Sequence, residues 1–272
     1  MPSAKFNRSG VSESAYLARI DSALTAAFRL IEATPRSERT ARYKPGRHLV
    51  TDIDLAISQL LREQLQQEGE GWLSEEDTDD GSRLSRGVTW VIDPLDGTRE
   101  FVDIIPEWSI SVAVTVDGEA IAGGIVNPAT GERFLGSLTA GVSYNGQPAA
   151  ASRRTSLEGA TILASRQEYL RGEWDKFKGL GVQVRPCGSV AYKLALVAAG
   201  LADATFTLQP KHEWDVAAGV ALVRSAGGKV ACPGGVPLGF NRANTLLPGL
   251  IASAPGVWHD LMRMLQQQEN KP

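Results

Sequence analysis

Histidine, cysteine and methionine are scarce in this chain of 272 residues, with three His, two Cys and three Met. Cys187 and Cys232 show no metal-ligand spacing, so they read as reduced thiols and a thiolate zinc site is set aside. The histidines, His48, His212 and His259, form no pair at ligand spacing, and no Ser-His-Asp arrangement can be assembled from them. No stretch approaches the roughly 18 consecutive apolar residues that a membrane span requires. The amino-terminal MPSAKFNRSGVSES lacks the apolar centre of a signal peptide, which points to a cytoplasmic protein. A net charge of -3 gives no electrostatic support for nucleic-acid binding. Neither G-x-x-x-x-G-K-[ST] nor G-x-G-x-x-G occurs, and the glycines between about 88 and 148 read as ordinary turn residues. Internal repeats and low-complexity linkers are absent as well.

What remains is a chain with 43% hydrophobic residues, enough for a large core. Ser12 is placed to cap a helix over 13–34, with Leu17, Ile20, Leu24, Ala27, Phe28 and Ile31 on one face and Pro35 beyond its end. The basic segment ERTARYKPGRH reads as a solvated loop. A second amphipathic helix is expected over 52–67, with Ile53, Ile57, Leu60, Leu61 and Gln64 inward. From about 88 to 148, Asp117-Gly118, Asn127-Pro128, Thr130-Gly131 and Asn145-Gly146 punctuate an antiparallel meander. After 150 the pattern alternates. Strands are expected at 161–164, 182–185, 204–208 and 250–252, and helices at 173–180, 189–199, 216–226 and 257–268. The fold class is therefore layered α/β. An α+β half (1–148) and an α/β half (149–272) are expected to pack as one continuous body.

Acidic residues collect where strands and helices end. Val91-Ile92 runs into Asp93, Asp96, Gly97 and Thr98, and Trp72-Leu73 runs into Ser74, Glu75, Glu76 and Asp77. Ionised Asp is seldom buried unpaired, and two within one turn of chain repel unless a cation lies between them. Asp52 and Asp54 open the second helix, where one carboxylate can cap. Asp215 opens a helix whose Ala217, Ala218 and Gly219 permit close approach to a neighbouring backbone. Helix capping is the simpler explanation for Asp215 alone. Hard oxygen donors with so few histidines favour Mg²⁺ over zinc. Carboxylates that gather two divalent ions about 3.5–4 Å apart suit phosphoryl chemistry. A glycosidase-type carboxylate pair stays open but does not call for this many acids.

Ser74-Glu75-Glu76, Asp93-Pro94-Leu95-Asp96-Gly97-Thr98 and Trp214-Asp215-Val216-Ala217-Ala218-Gly219 together resemble the signatures of the inositol monophosphatase superfamily, in that family's order. The resemblance implies alternating α and β layers and a Mg²⁺-dependent, lithium-sensitive phosphomonoesterase with two or three ions per site. By position, Glu75, Asp93 and the Leu95 carbonyl would hold one ion, and Asp93, Asp96 and Asp215 a second. Asp54 would act with Thr98 on the attacking water, which leaves Asp52 as the expected cap. Gly97 and Thr98 would offer N–H groups to the phosphate.

Asp96-Gly97-Thr98-Arg99-Glu100-Phe101 resembles the G-T-[RK]-E-F form of the 3′(2′),5′-bisphosphate nucleotidase branch. Ser165-Arg166, Gly188-Ser189 with Lys193, and Glu213 before Trp214 are similar to that branch too. On that resemblance the expected reaction converts adenosine 3′,5′-bisphosphate to AMP and phosphate, a step of sulfur metabolism, by in-line attack of a metal-activated water. Asp215, Arg166, Gly188, Ser189 and Lys193 would meet substrate, with Lys211 and His212 as further cations for a second phosphate. Two departures bear on substrate. The segment 206–211 lacks the arginine often found there in nucleotidases, and His48 stands where many relatives carry an acidic or polar residue. The alternatives are an inositol-1-phosphate or sugar-phosphate phosphatase and, more remotely, a non-catalytic nucleotide- or metal-binding scaffold. The expected partner is a small phosphorylated substrate, with no nucleic acid and no membrane, and the protein a monomer or homodimer.

Overall fold

A computed structural model describes residues 12–35, 41–43 and 49–269. The amino-terminal arm and, apart from Ala41–Tyr43, the basic segment with His48 lie outside the described residues; Ala41–Tyr43 form a strand and not the expected loop. Helix α1 (Glu13–Ala33) begins where Ser12 accepts the Ala15 N–H, as its sequence anticipates. Strands β1 (Ala41–Tyr43) and β2 (Leu49–Thr51) form a small antiparallel ribbon. Helix α2 (Asp52–Leu65) follows directly.

β3 (Gly71–Ser74) and β4 (Val88–Asp96) run parallel. After the short helix α3 (Thr98–Val102), the chain continues as an antiparallel meander. Its strands are β5 (Ser109–Val116), β6 (Glu119–Asn127), β7 (Glu132–Ser137), β8 (Gly141–Tyr144) and β9 (Gln147–Ala149). With β3 and β4 they make a seven-stranded sheet in chain order.

The second half opens with β10 (Thr161–Ser165), α4 (Arg166–Leu170), β11 (Gln183–Cys187) and α5 (Val190–Ala198). It continues through β12 (Ala204–Thr207), β13 (Lys211–His212), α6 (Glu213–Ser225) and β14 (Lys229–Ala231). It closes with β15 (Leu246–Leu247), β16 (Leu250–Ser253) and α7 (Trp258–Glu269). A second sheet has the order β11-β10-β12-β16-β14, and β13 pairs with β15 in a separate ribbon.

The side-chain clusters show the layering. Ile20, Leu24, Ile57 and Leu61 of α1 and α2 pack on Trp90, Ile92, Val112 and Val114, one face of the first sheet. Val91, Ala113, Ile125 and Phe134 on its other face meet α5 and α6. The same two helices bury Leu163, Leu250 and Ala252 of the second sheet. Leu261, Met264 and Leu265 of α7 cover the outer face of that sheet through Ile162, Phe206 and Ile251. The order is thus helix, sheet, helix, sheet, helix. A helix between two sheets must be apolar on all sides, and α6 is buried continuously from Val216 to Val223.

Three sequence-based expectations need correction. The helix expected at 173–180 is replaced by α4 and a single 3₁₀ turn, Asp175–Phe177. Gly172, Gly179 and Gly181 all take positive φ, which interrupts any helix there. Gln64 is exposed, and Leu65 takes its expected place in the core. The last long internal helix starts at Glu213, three residues early, because His212 is its N-cap.

The small residues of α6 have the use expected of them. A Cβ on Gly219 would lie 2.4 Å from Leu194 Cβ and Cδ1 on α5. A Cβ on Gly123 of β6 would lie 2.9 Å from Ala218 Cα. Gly219→Ala is therefore expected to lower unfolding free energy by about 1–3 kcal/mol in urea melts. An unchanged midpoint would show that α5 and α6 do not cross this closely.

Candidate active site

The parallel pairing of β3 with β4 decides where the acids meet. Ser74 lies beside Ile92, and the Glu75 N–H continues the ladder to Ile92 O at 3.2 Å, so Glu75 leaves β3 next to Asp93. A register shift between Asp93 and Asp96 marks a bulge at Pro94, a residue with no N–H to donate. Gly97 turns the chain into α3 at φ 93, and a Cβ there would press on Glu107 O and Trp108 at 3.2 Å. The first turn of α6 carries Asp215, and α6 packs across β4 and β5.

Four carboxylates of this group act on one another. Burial, then the charges of Glu75, Asp96 and Asp215, push the Asp93 carboxyl well above its ordinary range. Burial and the Asp96 charge push Asp215 up to about 7. Burial raises Asp96 as well, against two hydrogen bonds that favour its ionised form. Those bonds come from Ser189 Oγ and Ala191 N, both 2.6 Å from Asp96 Oδ2. Asp93 Oδ1 accepts the Leu95 N–H at 3.0 Å, and Asp215 Oδ2 accepts the His212 N–H at 2.9 Å.

Among the described residues no three acidic, His or Cys side chains are gathered tightly enough to hold one ion. Each aspartate is instead turned to a nearby donor. The donor chemistry nevertheless suits a hard divalent cation: oxygen ligands only, with buried charge that repels itself.

Asp54 lies in the first turn of α2, whose apolar side packs on the face of the first sheet away from α6. Its Oδ2 accepts the Thr51 N–H at 2.8 Å and the Thr51 hydroxyl. Burial pushes its carboxyl up to about 6; the Thr51 bonds oppose this and the Glu76 charge adds to it. The expected assignment of Asp52 as the cap is therefore overturned. Thr51 is the N-cap, Asp54 supplies the reciprocal bond of the capping box, and Asp52 is exposed. Thr98 Oγ1 donates to Leu95 O at 3.1 Å, the carbonyl expected to face a cation.

The expected substrate contacts fall into two groups. Arg166 Nε donates to Glu107 Oε2 at 3.1 Å, and the Gly188 N–H donates to the same oxygen at 2.8 Å. Ser189, in a left-handed conformation, caps α5 by accepting the Tyr192 N–H. Lys193 is buried, and burial pulls its ammonium down against the opposing influence of Cys187, Asp96 and Glu168. Lys211 is half-buried and near enough to act on Lys193. His212 is stacked on Trp214 at 4.3 Å and meets Thr245 through Nδ1. Arg99 is exposed and donates to Gln167, whereas Glu100 is buried with a raised carboxyl.

Sequence reading missed Glu107 and Ser109. Ser109 Oγ lies 3.0 Å from Ser189 Oγ and so stands behind Asp96. Its signal was present as two serines spaced by two in the otherwise apolar Ser109–Val114.

Acids therefore gather at the carboxyl ends of two parallel strands, faced by a helix start, on a five-layer α/β body. The inositol monophosphatase family matches residues 13–271, and the chain belongs to that family. It is 31% identical over 242 residues to the inositol-1-monophosphatase ImpA of Mycolicibacterium smegmatis, covering 84% of each chain. It is 32% identical over 206 residues to the Nus factor SuhB of Pseudomonas aeruginosa, covering 69% of this chain and 73% of that one. The inositol monophosphatase structure from Anabaena (Nostoc) sp. PCC 7120 superposes with a TM-score of 0.76 at 26% identity, over 93% of this chain and 96% of that one. The general activity is that of the family, Mg²⁺-dependent hydrolysis of a phosphate monoester. These relatives carry inositol-phosphatase and SuhB names, so membership is shown for the family and not for its nucleotidase branch. Among the described residues no helix is long and apolar enough to cross a membrane.

The raised carboxyls fix a sign for stability against pH. Folded Asp54 and Asp215 hold protons up to about 6 and about 7, whereas unfolded Asp loses them near about 3.9. Between those values the folded state binds more protons, so stability falls as pH rises. In chelator, Tm is expected to be lower at pH 8 than at pH 5, and Mg²⁺ to raise it more at pH 8. A Tm that climbs from pH 5 to 8 in chelator would contradict this.

Proposed function

We propose that this chain is a Mg²⁺-dependent phosphatase of small polyol or sugar phosphates, with inositol 1-phosphate as its reference substrate. The observation that carries this reading is the mutual repulsion of Glu75, Asp93, Asp96 and Asp215 at the exits of β3 and β4 and the start of α6. In this proposal Glu75, Asp93 and the Leu95 carbonyl hold one divalent cation, and Asp93, Asp96 and Asp215 a second. Such ions supply acidified water and neutralise charge on the phosphate's equatorial and leaving oxygens.

The chain's own groups do the rest. Asp54, with its carboxyl pushed up to about 6, is tuned to take and return a proton near neutrality. Thr98 is its expected partner, on a helix that packs beside β2 and so approaches the Thr51–Asp54 box. Gly97 and Thr98 offer N–H groups to the phosphate. Gly188 and Ser189 line the same end of the site through Glu107 and Asp96.

Charge around the substrate end supports a polyol over a second phosphate. Arg166 is already answered by Glu107. Lys193 is flanked by Asp96 and Glu168, and Glu100 adds a further buried carboxyl. A field of this kind favours hydroxyl groups and disfavours another dianion. ImpA and the Anabaena protein carry inositol-phosphatase names, in the same direction. One observation favours the nucleotidase reading, namely that Lys193 and Lys211 are close enough to repel each other beside Asp96.

The deciding measurement is kcat/KM side by side for inositol 1-phosphate, fructose 1,6-bisphosphate and adenosine 3′,5′-bisphosphate with Mg²⁺. The expected preference is inositol 1-phosphate; a clear preference for the nucleotide would restore the nucleotidase assignment. Asp93→Asn is expected to lower phosphate release by at least about a hundredfold. Lys193→Ala separates the two readings in another way. It should depress bisphosphate and monophosphate substrates alike, whereas a selective loss on bisphosphates would mean that Lys193 reads a second phosphate.

A further inference from the structure

Strand β5 sets a serine opposite each aspartate of β4. In the antiparallel register Ser109 stands opposite Asp96 and Ser111 opposite Asp93. Both serines are wholly buried. Residues paired across a ladder carry their side chains on one face, with Cβ atoms about 4.5–5.5 Å apart. That face is the one covered by α5 and α6, because Val91 and Ala113, the preceding pair of the same alternation, pack with Ala191, Leu194, Val216 and Ala217.

The two serines differ in what they bond. Ser109 Oγ lies 3.0 Å from Ser189 Oγ, and Ser189 donates to Asp96 at 2.6 Å, so the first serine already supports its aspartate through a relay. Ser111 Oγ is buried and has no hydrogen-bond partner among the described residues. A buried hydroxyl without a partner costs free energy that alanine would not. Its cross-strand neighbour Asp93 is buried, and that carboxylate's Oδ1 takes the Leu95 N–H at 3.0 Å. With Cβ atoms as close as a directly opposed pair sets them, rotation about χ1 can bring the Ser111 hydroxyl to the Asp93 carboxylate.

We propose that Ser111 is a positioning residue for Asp93, its hydroxyl donating to the carboxylate and fixing the orientation in which that carboxylate meets a divalent cation. The inference rests on the reading of Asp93 as a cation ligand. Side chains that orient a ligand in this manner typically change metal affinity by about 10–100-fold when removed.

Ser111→Ala, in the full chain stripped of metal, gives the test. Mg²⁺ titration by calorimetry is expected to show a dissociation constant raised about tenfold. Thermal unfolding in chelator is expected to show a Tm equal to or above that of the wild type, because the proposed bond to Asp93 forms only when a cation turns the carboxylate, and without one the variant loses an unpaired buried hydroxyl. Ser111→Cys, close in size but a weak donor, should follow alanine in the titration. Wild-type affinity in both variants would overturn the proposal. So would a Tm in chelator that falls by several degrees, since the serine would then be part of the frame. Mg²⁺ binding that survives Asp93→Asn, or wild-type protein that binds no Mg²⁺, would overturn the ligand reading of Asp93 itself and this inference with it.

Discussion

Negative charge held away from water against other negative charge is the condition on which the rest of this structure depends. Asp93 is buried among three more carboxylates, and no Lys or Arg is paired with it among the described residues. Such an arrangement is costly in a folded chain and persists only where the surrounding frame holds it. Each acid is restrained by a different device: a ladder bond at Glu75, a bulge at Pro94, a helix cap at Asp215, and a serine and an amide at Asp96.

The frame supplies rigidity through layers. The central helices α5 and α6 are shared by both sheets, so neither sheet can shift without moving the helix starts that carry Ser189 and Asp215. Glycine at 219 and 123 lets those helices come close enough for their first turns to reach the strand ends. On the outer side, the α2 capping box fixes Asp54 by the same bonds that start the helix. The residue proposed as the proton carrier thus also completes a helix cap, which is why a capping explanation and a catalytic one were hard to separate.

Much of this was legible beforehand, and the reasons are local. Alternation and Gly-bearing turns revealed the meander, and the D-P-L-D-G-T run located the charged strand end. The long helices announced themselves through period and caps, as at Ser12. The segment 173–180 failed because its Trp174 and Phe177 mimic a helix face, while positive-φ glycines on both sides forbid one. Asp52 and Asp54 were assigned the wrong way round as cap because capping depends on which carboxylate reaches back to Thr51. That is a matter of side-chain direction that spacing does not encode. Glu107 and Ser109 went unseen because their importance comes from α5 and β4, which meet them only in three dimensions. Substrate was the least legible feature, since the same Arg166 reads as a free cation in sequence and as a paired one beside Glu107.

The parallel pairing of β3 and β4, alone in an otherwise antiparallel sheet, has a consequence for how such a centre tolerates change. The spacing between Glu75 and Asp93 is set by the ladder between neighbouring strands, about 4.8 Å, and not by the chain that joins them. The connecting segment is anchored separately, through the buried Arg83, which donates to Asp79, Asn241 and the Arg242 carbonyl, so it does not set the distance between the two acids. An added residue inside β3 itself would instead turn Glu75 to the opposite face of the sheet. The sheet acts as a ruler for the two acids, whatever path the loop takes between them.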